Sequence, residues 1–139
     1  MIHLTHQIQE VIGNPLKQYK LTKLESSEPV IHIMYCDTIW RKFLGLMFSK
    51  ELQGDAGIIL VENSESKLNT SIHMFFMNYD ITVLWLDKDL VIVDKALAKK
   101  WHPYYAPETP AQYVVELHVA RYSEYLVGET LALSPDDDH

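Results

Sequence analysis

The chain has 139 residues, 47% of them hydrophobic, which is enough for one core and excludes wholesale disorder. Its formal net charge is −7 and it has no basic stripe, so no nucleic-acid partner is expected. The sequence contains no run of about 18 apolar residues, so no membrane-spanning helix is expected. The N-terminal segment lacks the apolar core of a secretory signal. We therefore expect a cytoplasmic protein, and its single cysteine excludes an internal disulfide.

The first half of the chain predicts short strands and one helix. Alternation of apolar residues in "VIHIMYCD" predicts a strand in which Ile31, Ile33 and Tyr35 share one face. Thr38 suits the N-cap of a helix over 38–46, because its hydroxyl can accept a free amide hydrogen at the helix start. Further strands are predicted for "LKQYKL" and "IILV", followed by a polar loop, "ENSESKLNT".

The stretch "SIHMFFMNYDITVLWLD" contains two apolar segments, 71–77 and 81–86, which we interpret as two buried strands. Asn78 and Asp80 form the break between them, and Thr82 is expected to face solvent. The turn that begins at Asp87 predicts a hairpin into "LVIVDKAL", since an aspartate side chain readily bonds nearby backbone amides.

The last third of the chain begins with a loop over 98–110 that contains three prolines. A strand "AQYVVEL", a short helix "VARYSEYLVG" and a last strand "ETLAL" follow. The pattern predicts a mainly β, α+β fold: a compact, partly closed antiparallel or mixed sheet, or a small barrel, with one or two short helices packed on it. We expect a partly ordered N-terminal extension over 1–29, a single β-rich domain over 30–133 and an acidic flexible tail over 134–139.

Several pieces of the sequence are similar, in order, to those of a known family. The pieces are "CDTIWRKFLGLM", "GDAGIILV", "IHMFFMNYDITVLWLD", and "AQYVVEL" followed by "VGETL". Together they resemble the uncharacterised prokaryotic domain of unknown function 192 family, over about residues 30–133. The resemblance agrees with the strand and helix order above and brings no agreed activity with it.

The chain also departs from the pattern of that family at polar positions. Lys42 stands where the family usually has arginine. A guanidinium group that can make two parallel hydrogen bonds is thus replaced by a compact ammonium charge. Asn78 replaces a frequent Arg or Lys, the sequence Asp-Ile-Thr at 80–82 replaces Pro-Ile-Asp, and Leu90 stands where glycine is common. If the polar positions of the family form a site, this chain has lost much of it.

The candidate binding residues cluster around one histidine and one loop. His73 can exchange protons near neutral pH or hydrogen-bond a ligand, although a ring bonded to backbone is the simpler interpretation. Loops as long as 98–110 often carry binding, and this one offers aromatic faces that suit a sugar, another small molecule, or a peptide or protein partner. The candidates are His73, Lys42, Trp101, His102, Tyr104 and Tyr105. The alternative is that Trp101 and one tyrosine fold back onto the core and cover the end of the barrel.

No catalytic residue, metal site or cofactor is predicted. The leading hypothesis is a non-enzymatic binding or accessory module that uses the His73 region and the 99–105 loop. The alternative is a small hydrolase or lyase with His73 as general base and a carboxylate such as Asp87 or Glu116. Cys36 is better explained as a packing residue than as a nucleophile, and no histidine, cysteine or carboxylate spacing matches a metal motif. The sequence does not fix the oligomeric state.

Overall fold

The computed structural model describes residues 17–36, 51–72, 74 and 77–136. The described chain is mostly β-structure, with one short 3-10 helix over Val119–Glu124. Its seven strands are β1 (Lys17–Lys23), β2 (Ser26–Cys36), β3 (Ala56–Ser66), β4 (Ile81–Leu86), β5 (Ile92–Ala98), β6 (Ala111–His118) and β7 (Leu131–Pro135).

The seven strands form one mixed sheet in the order β5-β4-β6-β3-β2-β1-β7. Strands β2 and β3 are parallel, and every other neighbouring pair is antiparallel. Parallel strands need a long crossover connection, and the chain over 37–55 has the length for one. The helix predicted over 38–46 belongs to this connection and lies outside the described residues.

The predicted mainly β fold with a mixed sheet is confirmed, but the sheet is not closed, so the small-barrel form of the prediction is wrong. In the described sheet no ladder of hydrogen bonds joins the two edge strands, β5 and β7. Their ends meet at an isolated bridge between Val91 and Thr130. Beside it, the Ile92 N–H donates to the Glu129 carbonyl oxygen at 2.9 Å, the Gly128 N–H to the Ile92 carbonyl oxygen at 2.8 Å and the Leu131 N–H to the Leu90 carbonyl oxygen at 2.9 Å. Past this bridge β5 pairs with β4 alone, so the sheet stays open.

Apolar side chains cover both faces of the sheet. One face carries a cluster that we call the first core cluster; it includes Cys36, Ile58, Met74, Met77, Ile81, Val83, Trp85 and Val114. The other face carries the second core cluster, which includes Leu21, Ile31, Ile33, Ile59, Leu84, Val115, Leu117 and Tyr125. Because β4 lies between the two clusters, all six of its residues are buried.

Thr82 is one of these six residues, so its predicted exposure to solvent is wrong. The residue is fully buried, and its hydroxyl donates to the Val119 carbonyl oxygen at 3.2 Å. The prediction fails because apolar side chains pack on both faces of β4. In such a strand, alternation of residue types no longer distinguishes a buried face from a solvent-exposed face. The 3-10 helix satisfies the hydroxyl that this arrangement buries.

The hairpin after β4 follows the prediction. The Asp87 carboxylate oxygen Oδ1 accepts the N–H groups of Asp89 at 2.8 Å and Val91 at 3.0 Å. Leu90 has a φ of 64°, which explains why a glycine suits this position better than most residues. The turn therefore uses Asp87 as a structural residue.

Three other details of the sequence prediction are changed by the structure. Strand β3 continues through Ser66 into the segment that was predicted as a polar loop. Of the described residues in 71–77, only Ile72 pairs, in an isolated bridge with Tyr105, so a buried strand there is wrong. The helix predicted from residue 119 is a 3-10 helix that ends at Glu124, ahead of Gly128 with its φ of 100°.

Among the described residues, no helix is long and apolar enough to cross a membrane.

The two ends of the described chain both belong to the sheet. Strand β1 pairs with β2 on one side and with β7 on the other. Just after β7, Asp136 is buried, and its Oδ2 lies 2.7 Å from His32 Nδ1. A hydrogen-bonded carboxylate of this kind ties the end of β7 to the neighbouring strands.

Candidate functional site

Backbone hydrogen bonds hold the loop over 99–105 against the segment on either side of position 73. Ile72 and Tyr105 exchange N–H to carbonyl bonds in both directions, each 2.8 Å long. The Met74 N–H donates to the His102 carbonyl at 3.0 Å, and the Trp101 N–H donates to the Met74 carbonyl at 2.8 Å. The loop is thus fixed to a second segment of the chain by its main chain.

Side chains fix the start of the same loop. The Tyr105 hydroxyl accepts the Lys99 N–H at 2.9 Å, and Asp80 Oδ1 accepts the Lys100 N–H at 2.8 Å. Tyr105 itself packs against the first core cluster. Asp80, interpreted as part of a break between two segments, therefore also caps the turn at the start of the loop.

The loop divides its aromatic residues between solvent and core. Trp101 is 52% exposed and Tyr104 is 56% exposed, whereas Tyr105 is half-buried. The Tyr104 hydroxyl lies 2.9 Å from Ser71 Oγ, so this exposed ring is held at its polar end. Trp101 and Tyr104 therefore face solvent and Tyr105 folds onto the core, so the alternative interpretation is correct for one tyrosine and wrong for Trp101.

Trp101 has an unusual backbone conformation. Its φ is 64°, in the left-handed region that residues with a side chain rarely adopt. The bond from its N–H to the Met74 carbonyl holds it there. Strain of this kind persists only where the surroundings impose it, and it is often found at functional sites.

Cationic and polar groups surround the exposed rings. Lys99 Nζ lies 3.7 Å from Asp80 Oδ2 in an exposed pair, which contributes little to stability. Lys100 and His102 are exposed, and the His102 ring lies 4.7 Å from the Tyr105 ring. In chemical terms the loop offers stacking faces, hydrogen-bond donors and positive charge.

Two predicted site residues, His73 and Lys42, lie outside the described residues. For His73, the described neighbours Ile72 and Met74 are the residues that pair with the loop. Of the six candidates, the structure brings together Trp101, His102, Tyr104 and Tyr105. Ser71 and Asp80, which hold the loop, were missed as site residues because their contacts are with residues about 20 or more positions away.

A second candidate group, Glu116, lies on β6 among apolar side chains. Its neighbours across the sheet are Ile58 on β3 and Val83 on β4, both members of the first core cluster. Only 6% of the residue is exposed, and burial raises the pKa of its carboxyl from 4.5 to about 8. The group is therefore protonated at neutral pH. Within the described part of the chain it has no hydrogen-bond or charge partner that offsets this effect.

The histidines of the described chain do not form a metal site. His118 follows Glu116 on the same face of β6; its Nδ1 accepts the Ala120 N–H at 3.0 Å, which leaves the ring proton on Nε2. Its Nε2 is 3.8 Å from a Glu51 carboxylate oxygen. No group of three potential ligands is found in the described ranges 17–36, 51–72, 74 and 77–136.

Cys36 and Tyr125 are buried groups with different consequences. Cys36 is fully buried in the first core cluster, as expected of a packing residue. Tyr125 is 1% exposed in the second core cluster, and its hydroxyl has no hydrogen-bond partner among the described residues. Burial raises the pKa of this hydroxyl to about 12, so it stays protonated. Sequence reasoning missed Tyr125, since nothing in "SEYLVG" distinguishes it from an exposed tyrosine.

Comparison with known proteins identifies the family. Residues 21–132 match the model of the DUF192 family, whose description is "Uncharacterized ACR". The chain belongs to this family. A UPF0127 protein of Thermococcus kodakarensis is 36% identical over 108 residues, which cover 76% of this chain and 67% of the relative. One of Thermococcus gammatolerans is 41% identical over 61% of this chain and 54% of its own length. The DUF192 chain thus spans only about half to two-thirds of these relatives.

Two solved structures share the fold of this DUF192 chain. A Sinorhizobium meliloti protein, described as a candidate transcription regulator, superposes with a TM-score of 0.72 at 15% identity, covering 85% of this chain and 93% of its own. A protein of unknown function from Novosphingobium aromaticivorans superposes with a TM-score of 0.68 at 18% identity, over 84% of each chain. At these identities the likeness establishes the fold of the DUF192 chain and nothing about its activity.

Proposed function

We propose that this protein is a non-enzymatic binding or accessory module, and that its ligand surface is formed by the 99–105 loop and the region around His73. The observation that carries the proposal is Trp101, a large aromatic residue that is half-exposed and held in a left-handed conformation. A core residue would gain packing in return for this strain, but half of the Trp101 side chain remains in contact with solvent.

Rigidity of the loop supports the proposal. Four backbone hydrogen bonds connect residues 101–105 to Ile72 and Met74, and the Asp80 carboxylate caps the start of the loop. A surface that is already ordered loses little conformational entropy when a ligand binds. The exposed rings are therefore presented in a fixed geometry.

The chemistry of the surface favours a ligand with a flat face and polar edges. Trp101 and Tyr104 offer stacking faces, and Lys100 and His102 offer hydrogen-bond donors next to them. A sugar or a short peptide has both properties, and each can use aromatic contacts together with a few placed polar groups. The positive charges beside the rings disfavour a cationic ligand at this surface.

Fluorescence titration tests this proposal. Trp101 is one of three tryptophans, and Trp85 is buried, so ligands that cover the loop should change the exposed part of the emission. Wild-type protein is titrated with mono- and disaccharides and with a library of short peptides, alongside the Trp101→Leu variant. Binding by one of these classes that is lost in Trp101→Leu supports the proposal.

Leu126→Ala is a suitable control, because Leu126 is also a large exposed apolar residue, 61% exposed, in a turn outside the loop. Its affinity for the same ligand should equal that of wild type. A ligand that binds Trp101→Leu and wild type equally well would contradict the proposal, as would a loop that binds nothing in either library.

The second candidate is a small hydrolase or lyase with His73 as general base and a carboxylate as its partner. Of the two carboxylates considered, Asp87 is committed to its turn. Glu116 is the better partner, because Met74 and Met77, which flank His73 in sequence, pack in the same cluster as Ile58 and Val83. Hydrolysis of chromogenic ester substrates tests this candidate: activity that is lost in both His73→Ala and Glu116→Gln, but kept in Trp101→Leu, would favour the enzyme.

A further inference from the structure

The main chain of the 99–105 loop has few donors left for a ligand. Its amide groups donate to Asp80, to the Tyr105 hydroxyl and to carbonyl oxygens that include those of Ile72 and Met74. Five of the six N–H groups of the loop are used in this way within the described chain: those of Lys99, Lys100, Trp101, His102 and Tyr105. A ligand at this surface must therefore be recognised mainly through side chains.

The positions of the oxygen atoms determine which contacts the Tyr104 hydroxyl can make. Ser71 Oγ lies 2.7 Å from the Lys67 carbonyl oxygen, which can only accept, so the Ser71 hydroxyl donates its one proton there. The same Oγ lies 2.9 Å from the Tyr104 hydroxyl, which must therefore be the donor in that contact. The Tyr104 oxygen keeps a lone pair for a ligand. It can accept a hydrogen bond from a ligand hydroxyl, but it has no proton left to donate.

The charge of this surface is opposite in sign to that of the whole chain. The 99–105 loop and the turn that begins at Lys67 carry three lysines and no acidic residue. Asp80, which reaches the loop, already lies 3.7 Å from Lys99 Nζ and accepts the Lys100 N–H. Lys67 and Lys100 are exposed and have no ion pair within the described part of the chain. At physiological ionic strength charges more than about 8 Å away are largely screened, so these lysines, and not the net charge of −7, determine which ligand charge is favoured.

We propose that the ligand of this surface is a sugar acid, whose carboxylate is bound by Lys100, whose hydroxyl groups donate to the Tyr104 oxygen and whose ring stacks on Trp101. The inference rests on the proposed function, since it names the ligand class of the same surface. A carboxylate suits an ammonium donor because both partners are charged, and a neutral sugar leaves the lysine without such a partner. An acid without hydroxyl groups leaves the Tyr104 oxygen without a donor. A phosphate is typically bound by several backbone amide groups, and those of this loop are already used.

The experiment compares three probes that differ in one kind of group at a time. They are titrated into the full chain, and the amide NMR signals of residues 99–105 are followed. Methyl β-D-glucuronide carries the carboxylate and the hydroxyl groups, methyl β-D-glucoside lacks the carboxylate, and cyclohexanecarboxylate lacks the hydroxyl groups. We expect the glucuronide to bind about three- to tenfold more tightly than either of the others, as one exposed hydrogen bond predicts. Its preference over the glucoside should fall when the ionic strength is raised from about 0.02 M to about 0.5 M.

Two substitutions and a matched control assign the contacts. Lys100→Met keeps the apolar stem and removes the charge, and it should abolish the preference for the glucuronide over the glucoside. Lys88→Met removes an exposed lysine from the turn between β4 and β5, with the same change in net charge, and should keep that preference. Tyr104→Phe should weaken binding of the glucuronide and leave that of cyclohexanecarboxylate unchanged. A hydroxyl that served only to hold the loop would, when removed, weaken the binding of both acids.

The outcomes separate this inference from the proposed function. Equal binding of the glucuronide and the glucoside, lost for both in Trp101→Leu, would overturn the sugar acid and leave the binding surface in place. The same conclusion would follow if the acidic peptide N-acetyl-phenylalanyl-glutamyl amide bound more tightly than the glucuronide. A preference for the glucuronide that falls equally in Lys100→Met and Lys88→Met would also overturn the inference, because it would reflect net charge alone. If no probe and no member of the saccharide or peptide libraries requires Trp101 for binding, the proposed function fails as well.

Discussion

Replacing Glu116 with glutamine should make the protein more stable at neutral and alkaline pH, and the gain should grow as the pH rises. In the folded protein, burial raises the pKa of the Glu116 carboxyl from 4.5 to about 8. Between these two values the folded state keeps a proton that the unfolded chain releases. Folding stability therefore falls with increasing pH across this interval and is restored at lower pH, where both states are protonated.

The size of the effect follows from the shift. Each pKa unit corresponds to about 1.4 kcal/mol, so a rise from 4.5 to about 8 costs on the order of 5 kcal/mol once both states are ionised. At pH 7 the linkage relation gives about 3 kcal/mol, and at pH 5 about 1 kcal/mol. Glutamine has the size of the protonated acid and cannot ionise. The difference between Glu116→Gln and wild type should then increase by about 4 kcal/mol from pH 5 to pH 9.

Urea unfolding followed by circular dichroism at intervals of one pH unit measures this difference. Every other titrating group is common to the two proteins, so its contribution cancels in the comparison. Glu25→Gln provides the control, since this glutamate is exposed in the turn between β1 and β2 and its substitution should give a small, pH-independent change. A difference between Glu116→Gln and wild type that stays constant from pH 5 to pH 9 would refute the reasoning, because it would mean that folding does not raise the pKa of Glu116.

Three further substitutions test the packing and the backbone. Tyr125→Phe removes a buried hydroxyl without a partner in the described chain and should leave the free energy of unfolding unchanged or raise it by about 1 kcal/mol; a clear loss in urea unfolding would reveal an acceptor. Leu90→Ile keeps the side-chain volume but adds a branch at a φ of 64°, and it should lower the midpoint of thermal unfolding through a loss of about 1 kcal/mol; an unchanged midpoint would argue against the strain. Gly57→Ala would bring a Cβ to 2.7 Å from Leu117 Cδ2 and 3.0 Å from the Glu116 carbonyl oxygen, and a loss of about 1–3 kcal/mol in urea unfolding is expected; a variant as stable as wild type would show that β6 can move aside.

The sequence predicts most of the described fold because the chain marks its strands clearly. Alternation in β2, the turn at Asp87 and the proline-rich loop all lead to correct elements. The error at Thr82 has a clear physical origin: both faces of the sheet are covered. A strand such as β4, buried throughout, carries no alternation that could show the environment of Thr82. Strand β3 is a different case, because its last residues are polar. Its end at Ser66 pairs with Ala111 of β6 through the backbone, and this pairing does not depend on the side chains.

The candidate site was less accessible to sequence reasoning than the fold. Loop length and composition make Trp101 and Tyr104 candidates but leave open whether they face solvent or fold onto the core, and they do not indicate that Ser71 and Asp80 hold the loop in place. For Glu116, the sequence shows that it shares a face with Val114. The lack of a hydrogen-bond partner for Glu116 among the described residues depends on which side chains β3 and β4 place beside it, and only the strand order and register reveal these.

Two residues of the described chain other than glycine have positive φ, and the contrast between them favours a functional role for the loop. Leu90 and Trp101 both have a φ of 64°. At Leu90 the fold accounts for the strain: the side chain packs on the second core cluster, and the carbonyl accepts the Leu131 N–H where the two sheet edges meet. At Trp101 the backbone bond to Met74 holds the conformation, but a glycine would make the same bond without strain. What glycine would lack is the indole ring, which is 52% exposed and belongs to the surface that we propose for ligand binding.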